Sequence, residues 1–191
     1  MTRRWTTPVN NPWKTLSVRQ VYDNPWIRVT EHQVINPSGG NSIYGLVGFK
    51  NLAIGIIPID DADHTWLVGQ YRYALNSYSW EIPMGASPLD LDPVEGARRE
   101  LREETGLIAG QWTEIMRLHL SNCVTDELGI VYVARELEQG APCFDEGEQL
   151  EIARVSLDRA VAMVMDGKIT DAVSVAGLLK AQALNARGAL P

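Results

Sequence analysis

The segment Gly85-Ala86-Ser87-Pro88-Leu89-Asp90-Leu91-Asp92-Pro93-Val94-Glu95-Gly96-Ala97-Arg98-Arg99-Glu100-Leu101-Arg102-Glu103-Glu104-Thr105-Gly106-Leu107 carries the reading of this chain. Asp92 is placed to cap a helix, Pro93 suits its first position, and Glu95 stands three past the cap. The helix is expected to run to Thr105 and to stop at Gly106. On it, Glu100, Glu103 and Glu104 share one face, with Cβ atoms roughly 5–6 Å apart. Like charges at that spacing destabilise a helix by a few tenths of a kcal/mol. A hard divalent cation would offset the repulsion, because such ions prefer carboxylate oxygens and Mg²⁺ uses one or two of them together with substrate phosphates. Taken alone, the same residues also read as a solvated face with an Arg99–Glu103 surface ion pair.

Outward from this helix the chain reads as a mixture of strands and helices. Residues 52–59 form an apolar run that predicts a buried strand, ended at Asp60-Asp61-Ala62-Asp63-His64, with residues 65–71 as its hairpin partner. A short strand at 79–82 precedes Pro83, and residues 84–91 read as a loop. Strands are expected at 112–119, 127–135 and around 152–155, and helices at 155–165 and 170–184. Towards the N-terminus, residues 1–13 read as an irregular arm. Residues 16–49 read as strands broken at Asn24-Pro25 and at Asn36-Pro37-Ser38-Gly39-Gly40-Asn41, with a half-buried strand over 26–35. Strands and helices without strict alternation predict an α+β fold.

The composition narrows the function. The formal charge of −7 over 191 residues has the wrong sign for a protein that holds nucleic acid by its phosphates. It leaves room for a small phosphorylated substrate, since a bound metal supplies positive charge locally. Cys123 and Cys143 form no C-x-x-C pair and have no histidine at ligand spacing, so the expected setting is a reducing cytoplasm. No apolar stretch follows Arg3-Arg4 as in a signal peptide, and the run at 52–59 is too short to span a bilayer, so neither secretion nor membrane insertion is expected. His32, His64 and His119 share no spacing and receive no role.

Gly85, Arg99, Glu100, Leu101, Glu103, Glu104, Gly106 and Leu107 fit, in register, the pattern G-x5-E-x7-R-E-U-x-E-E-x-G-U, in which U is a bulky apolar residue. The segment therefore resembles the Nudix box of the Nudix hydrolases. Leu91 stands where that box has its first glutamate, and Asp90, Asp92 or Glu95 are candidates to take over its contacts in the loop. The resemblance implies an α/β/α sandwich with a mixed sheet and a Mg²⁺ site, with Mn²⁺ as a substitute. Glu100 and Glu104 would be the main ligands, with Glu103 close by and assigned to both metal binding and catalysis.

Gln70-Tyr71-Arg72-Tyr73 and Trp80-Glu81-Ile82-Pro83-Met84-Gly85 resemble the ADP-ribose pyrophosphatase branch, which also holds hydrolases of other nucleotide sugars. By that likeness the Met84 carbonyl is a candidate metal ligand. Arg72 is a candidate for the diphosphate or distal sugar, against its reading as a strand residue with a solvated head. Glu81 would bind substrate or support the site. Residues 1–49 would form a small β-strand subdomain that serves dimerisation and base binding, and residues 50–191 the hydrolase domain. Trp26 and Tyr44 would stack the base, or else be core or interface aromatics. The general base would be Glu148, or second Glu146, either of which could instead complete the metal shell. Asp126-Glu127 would contribute to the site or simply open the next strand. Residues 166–172, followed by an apolar helix, also resemble the branch. Asn122 stands about where the ADP-ribose enzymes tend to have a proline. The implied activity is Mg²⁺-dependent hydrolysis of the pyrophosphate of a nucleoside diphosphate sugar (ADP-ribose, GDP-mannose or similar) by a homodimer. Its alternatives are a non-catalytic nucleotide-sugar-binding module and a housecleaning nucleoside triphosphate pyrophosphatase.

Overall fold

Every residue of the strand Asn51–Pro58 is at least half-buried, and its side chains alternate between two cores. In the computed structural model, which describes residues 10–140 and 149–191, the strands are β1 (Lys14–Asp23), β2 (Ile27–Ile35), β3 (Asn41–Phe49), β4 (Asn51–Pro58), β5 (His64–Arg72), β6 (Ser77–Glu81), β7 (Met84–Pro88), β8 (Leu107–His119), β9 (Leu128–Gln139) and β10 (Glu151–Ser156). The helices are α1 (Pro93–Thr105), α2 (Leu157–Met165) and α3 (Ala172–Asn185). The fold is α+β, with a mixed sheet and helices packed on it.

The chain divides into two compact units. One comprises Met1–Lys50 with Cys123–Asp126, the other Asn51–Asn122 with Glu127–Pro191. The second unit is built on the sheet β7-β4-β9-β8, in which β4 and β9 are parallel and the other neighbours antiparallel. Ile54 and Ile56 pack towards α1 with Ala97, Leu101, Ile130 and Tyr132. Ile57 packs with Val131, Val133, Val173 and Leu178 on the side of α2 and α3. Each fully buried isoleucine contributes about 1.5–3 kcal/mol relative to exposure. Gly55 sits under α3, where a Cβ would come within 2.8 Å of the Val173 side chain. The second sheet, β10-β5-β6, adds Leu67 to the α2/α3 cluster.

Three expectations need correction. Residues 52–59 and 65–71 do not form a hairpin. Both edges of β4 are taken by β7 and β9, so the chain turns through residues 60–63, with Asp63 in the left-handed region at φ 55°, and β5 joins the other sheet. Only an isolated bridge, Ile59 to Thr65, links the two runs. Residues 84–88 are strand rather than loop, because their backbone pairs with 51–55. Residues 151–156 are strand β10 along β5, so the helix expected from 155 starts at Leu157, capped by Ser156.

The first unit is the antiparallel sheet β1-β2-β3. Its turns have the chemistry the asparagines announced. Asn24 Oδ1 accepts from the amides of Trp26 (2.9 Å) and Ile27 (2.7 Å), and Asn36 Oδ1 from those of Ser38 and Gly40, both at 3.0 Å. Gly39 takes φ 85°, which only glycine adopts freely. The outer edge of β3 is covered by residues 123–126. The Val47 amide donates to the Val124 carbonyl (2.9 Å), and the Phe49 amide to Asp126 Oδ1 (2.8 Å). All ten residues of β1 are exposed. No helix among the described residues is long and apolar enough to cross a membrane.

Candidate active site

Helix α1 forms as its sequence dictates. Asp92 caps it by accepting from the Val94 amide (3.2 Å), Pro93 opens it, and Gly106 ends it at φ 74° with its amide on the Arg102 carbonyl. Two close approaches bring it onto β7. A Cβ on Gly96 would lie 2.5 Å from Ser87 Cβ, so the helix backbone rests almost directly on the strand. Gly85 leaves a hollow that the Glu100 carboxylate fills, since a Cβ there would be 2.0 Å from Glu100 Cδ.

The three glutamates occupy distinct settings. Glu104 is buried (3% exposed), and its Oε2 accepts from the Met84 amide at 3.0 Å. Glu100, its side chain 13% exposed, accepts from Arg99 Nη2 at 2.6 Å. The same Arg99 nitrogen donates to the Ala86 carbonyl of β7 (2.6 Å), and Nη1 approaches Glu103 at 3.9 Å. Arg99 thus offsets much of the repulsion along this face and also ties helix to strand. Glu103 is the more open of the three, with a side chain 27% exposed. Among the described residues no three acidic, histidine or cysteine side chains converge into a ready-made cage. A cation that keeps several waters and takes one or two carboxylates needs no such cage. The carboxylates of Glu100 and Glu104, with Glu103 on the same helix, are hard oxygen donors of the kind such an ion takes.

Met84 is held on several sides. The preceding Pro83 carbonyl accepts from the Ile56 amide of β4 (2.8 Å), and the Ile82 amide donates to Ser174 Oγ on α3 (3.0 Å, buried). Arg72 and Glu81 form the second polar pair of this region. Glu81 is 2% exposed. Arg72 Nε reaches both its oxygens, at 3.0 and 3.2 Å, and Nη2 completes a bidentate contact. The Glu81 hydrogen bond pushes the Arg72 pKa above the usual arginine range. Partial burial opposes that shift, and the charges of Glu81, Asp171 and Glu104 add to it. Arg72 therefore stays charged wherever the fold survives, and its side chain is still 37% exposed. Glu81 is turned towards Arg72 rather than outward.

Trp26 and Tyr44 lie towards opposite ends of the β1-β2-β3 sheet. Tyr44 pairs in register with His32, and Trp26 stands just before Ile27, the partner of Phe49, a separation of roughly 17–20 Å at about 3.4 Å per residue. Trp26 is 66% exposed. The aromatic beside Tyr44 is Trp13, edge-on at 5.5 Å, from the stretch read as an irregular arm. Tyr44 also donates to the Cys123 carbonyl at 2.5 Å. Asp126 is engaged in capping β3. Glu146 and Glu148 lie outside the described residues.

Leu91 is 55% exposed in the turn before α1, and its amide donates to the Pro88 carbonyl (3.3 Å). Asp92 is occupied as the helix cap, and Glu95 faces Arg98 at 3.4 Å. The loop is held by the Gly96–Ser87 approach and by Arg99 on Ala86. Sequence reasoning missed these roles of Gly96 and Arg99, and also the charge that Asp171 places near Arg72. Arg99 had a signal, its place in the box pattern; Asp171 had only its place in the segment 166–172 ahead of the last helix.

Two family models match the chain. Residues 13–47 match the nucleoside diphosphate sugar hydrolase N-terminal domain, and residues 49–175 the NUDIX domain, whose hydrolases generally require a divalent metal. The chain is 29% identical over 182 residues to the ADP-ribose pyrophosphatase of Mycobacterium tuberculosis, covering 94% of this chain and 87% of that protein. It is 30% identical over 161 residues to the ADP-ribose pyrophosphatase of Bacillus subtilis, covering 83% and 86%. It also matches the crystal structure of an ADP compounds hydrolase with a TM-score of 0.84, over 96% of this chain and 100% of that one, at 24% identity, which is a likeness of fold.

Proposed function

This chain belongs to the Nudix hydrolases, and on that premise we propose that it hydrolyses the pyrophosphate bond of a nucleoside diphosphate sugar, with Mg²⁺ as its metal, to a nucleoside monophosphate and a sugar phosphate. The observation that carries the reading is the Glu100 carboxylate seated in the hollow at Gly85, beside Glu104 on the Met84 amide. When bound there, the metal neutralises the diphosphate and stabilises charge developing at phosphorus. Glu100, Glu104 and the Met84 carbonyl would hold it, with Glu103, the most open of the three glutamates, close by. Arg72, kept charged and aimed by Glu81, binds the diphosphate. Glu148, or failing it Glu146, takes the proton from the attacking water; this assignment rests on sequence alone. Turnover of ADP-ribose, GDP-mannose, UDP-glucose and a dinucleotide, each with Mg²⁺ and with Mn²⁺, tests the reaction, and no turnover of any of them would reject it.

The Arg72–Glu81 pair supplies a second test. Glu81→Gln keeps the shape but removes the charge that fixes the guanidinium. Hydrogen bonds to charged groups are worth about 1.5–3 kcal/mol, so KM is expected to rise about tenfold or more while kcat falls less. A fall in kcat and kcat/KM by the same factor, with KM unchanged, would show that Arg72 acts only in the transition state.

We further propose a homodimer formed through the β1-β2-β3 sheet. Leu16, Val18, Val21, Trp26 and Ile43, spread over both faces of this small sheet, are each more than half exposed, and burying them would favour association. Trp26 and Tyr44, too far apart to clasp one base within a chain, would then each contribute from a different copy. Light scattering is expected to give twice the mass of the 191-residue chain, and Val21→Glu the mass of one.

A further inference from the structure

Helix α1 also borders a groove of about 500 Å³ that adjoins the glutamate face through Arg99 and Glu103, within the roughly 300–1,000 Å³ range of small-ligand pockets. Arg98, Arg99 and Arg102 stand along it, and the start of β8 supplies Ile108 and Trp112. In a chain with 17 basic residues against 24 acidic ones, three arginines within five positions form a local positive concentration. Two carboxylates compensate in part: Glu95 faces Arg98 at 3.4 Å, and Glu103 lies 3.9 Å from Arg99. Arg102 has no ion-pair partner among the described residues. The guanidinium of Arg98 lies 5.4 Å from the centre of the Trp112 ring. The Trp112 indole nitrogen donates to the Ala109 carbonyl (3.0 Å), which fixes the ring. Ile108 is half exposed beside it.

A cationic rim over a fixed aromatic and an exposed aliphatic suits a ligand with an anionic end and a flat apolar end. We propose that this groove is a second, non-catalytic site for a nucleoside monophosphate, with its phosphate on Arg98 and Arg102 and its base against Trp112 and Ile108. Arginine forks match phosphate geometry, and base stacking on an aromatic tolerates any base. The site needs no metal, unlike the glutamate cluster that it adjoins at Arg99 and Glu103.

The test uses the full chain in excess EDTA, titrated with adenosine monophosphate. Binding is followed by calorimetry and by the NMR signal of the Trp112 indole N–H, assigned by its loss in Trp112→Phe. The signal is expected to shift with saturation, with an affinity that falls as salt rises. Arg102→Gln, and separately Arg98→Gln, should weaken binding about tenfold or more. Adenosine alone and inorganic phosphate alone should each bind more weakly than the nucleotide. A Trp112 signal that does not move, an affinity indifferent to both arginine substitutions, or binding abolished by Arg72→Gln overturns the proposal. Phosphate binding as tightly as the nucleotide overturns the base contact. Failure of the hydrolase reading would appear separately, as absent turnover with the signal still shifting.

Discussion

Glu104→Gln is expected to leave the fold standing and to lower kcat/KM by more than about 100-fold. Loss of an outer-shell partner of a metal typically costs 10–100-fold, and a carboxylate that itself holds the ion should cost more. Glu104 is buried, and its Oε2 accepts from the Met84 amide. Glutamine has the same shape and retains an acceptor oxygen for that amide, so the strand–helix junction is preserved. What disappears is the charge. Circular dichroism and a melting curve close to wild type, with turnover largely lost and the Mg²⁺ requirement shifted upward, are the expected results. Undiminished turnover would remove Glu104 from the metal site.

Gly85→Ala is expected to give a comparable loss of activity by a different physical route. The added methyl would lie 2.0 Å from Glu100 Cδ and 2.2–2.4 Å from its oxygens. The displaced group is the far end of a flexible side chain, so relief is cheap, and the stability loss should stay within about 1 kcal/mol, below the usual overpacking cost of 1–3 kcal/mol. The carboxylate, however, would have to leave its seat and its contact with Arg99, and catalytic groups tolerate little misplacement: about 1 Å can cost 10²-fold. A melting temperature within a few degrees of wild type, together with a weakened metal dependence of turnover, checks this. A variant that melts early and loses activity in proportion would show that Gly85 serves the fold rather than the seat.

The helix that carries the site was legible because its signals are local. Asp92, Pro93 and Gly106 state a start and a stop, and spacing alone puts Glu100, Glu103 and Glu104 together. The reason the glutamates tolerate one another was only half legible. A cation accounts for part of it, but Arg99 bridges Glu100, Glu103 and the Ala86 carbonyl, a contact that depends on where β7 lies. Strand pairing was the weakest inference. The run at 52–59 shows that it is buried, but nothing in it says that β7 and β9 will take its two edges. Residues 84–88 carry Gly and Pro and read as a loop; pairing with β4 overrides that preference. The Arg72–Glu81 contact joins residues on neighbouring strands, and Asp171 comes near Arg72 only through the packing of α3. The environment of Arg72 therefore waited on three dimensions.

The two-sided alternation along β4 also bears on how this chain can change length. Ile54 and Ile56 serve one core, Gly55 and Ile57 the other. Deleting or inserting one residue there would reverse every later side chain, driving an isoleucine into the space below α3 that only Gly55 fits. Drift by single codons is thus confined to bends such as 36–40 and 60–63, where asparagine, aspartate and glycine already absorb the geometry. Within β4, lineages are free to exchange one apolar side chain for another of similar bulk, but not to shift the frame.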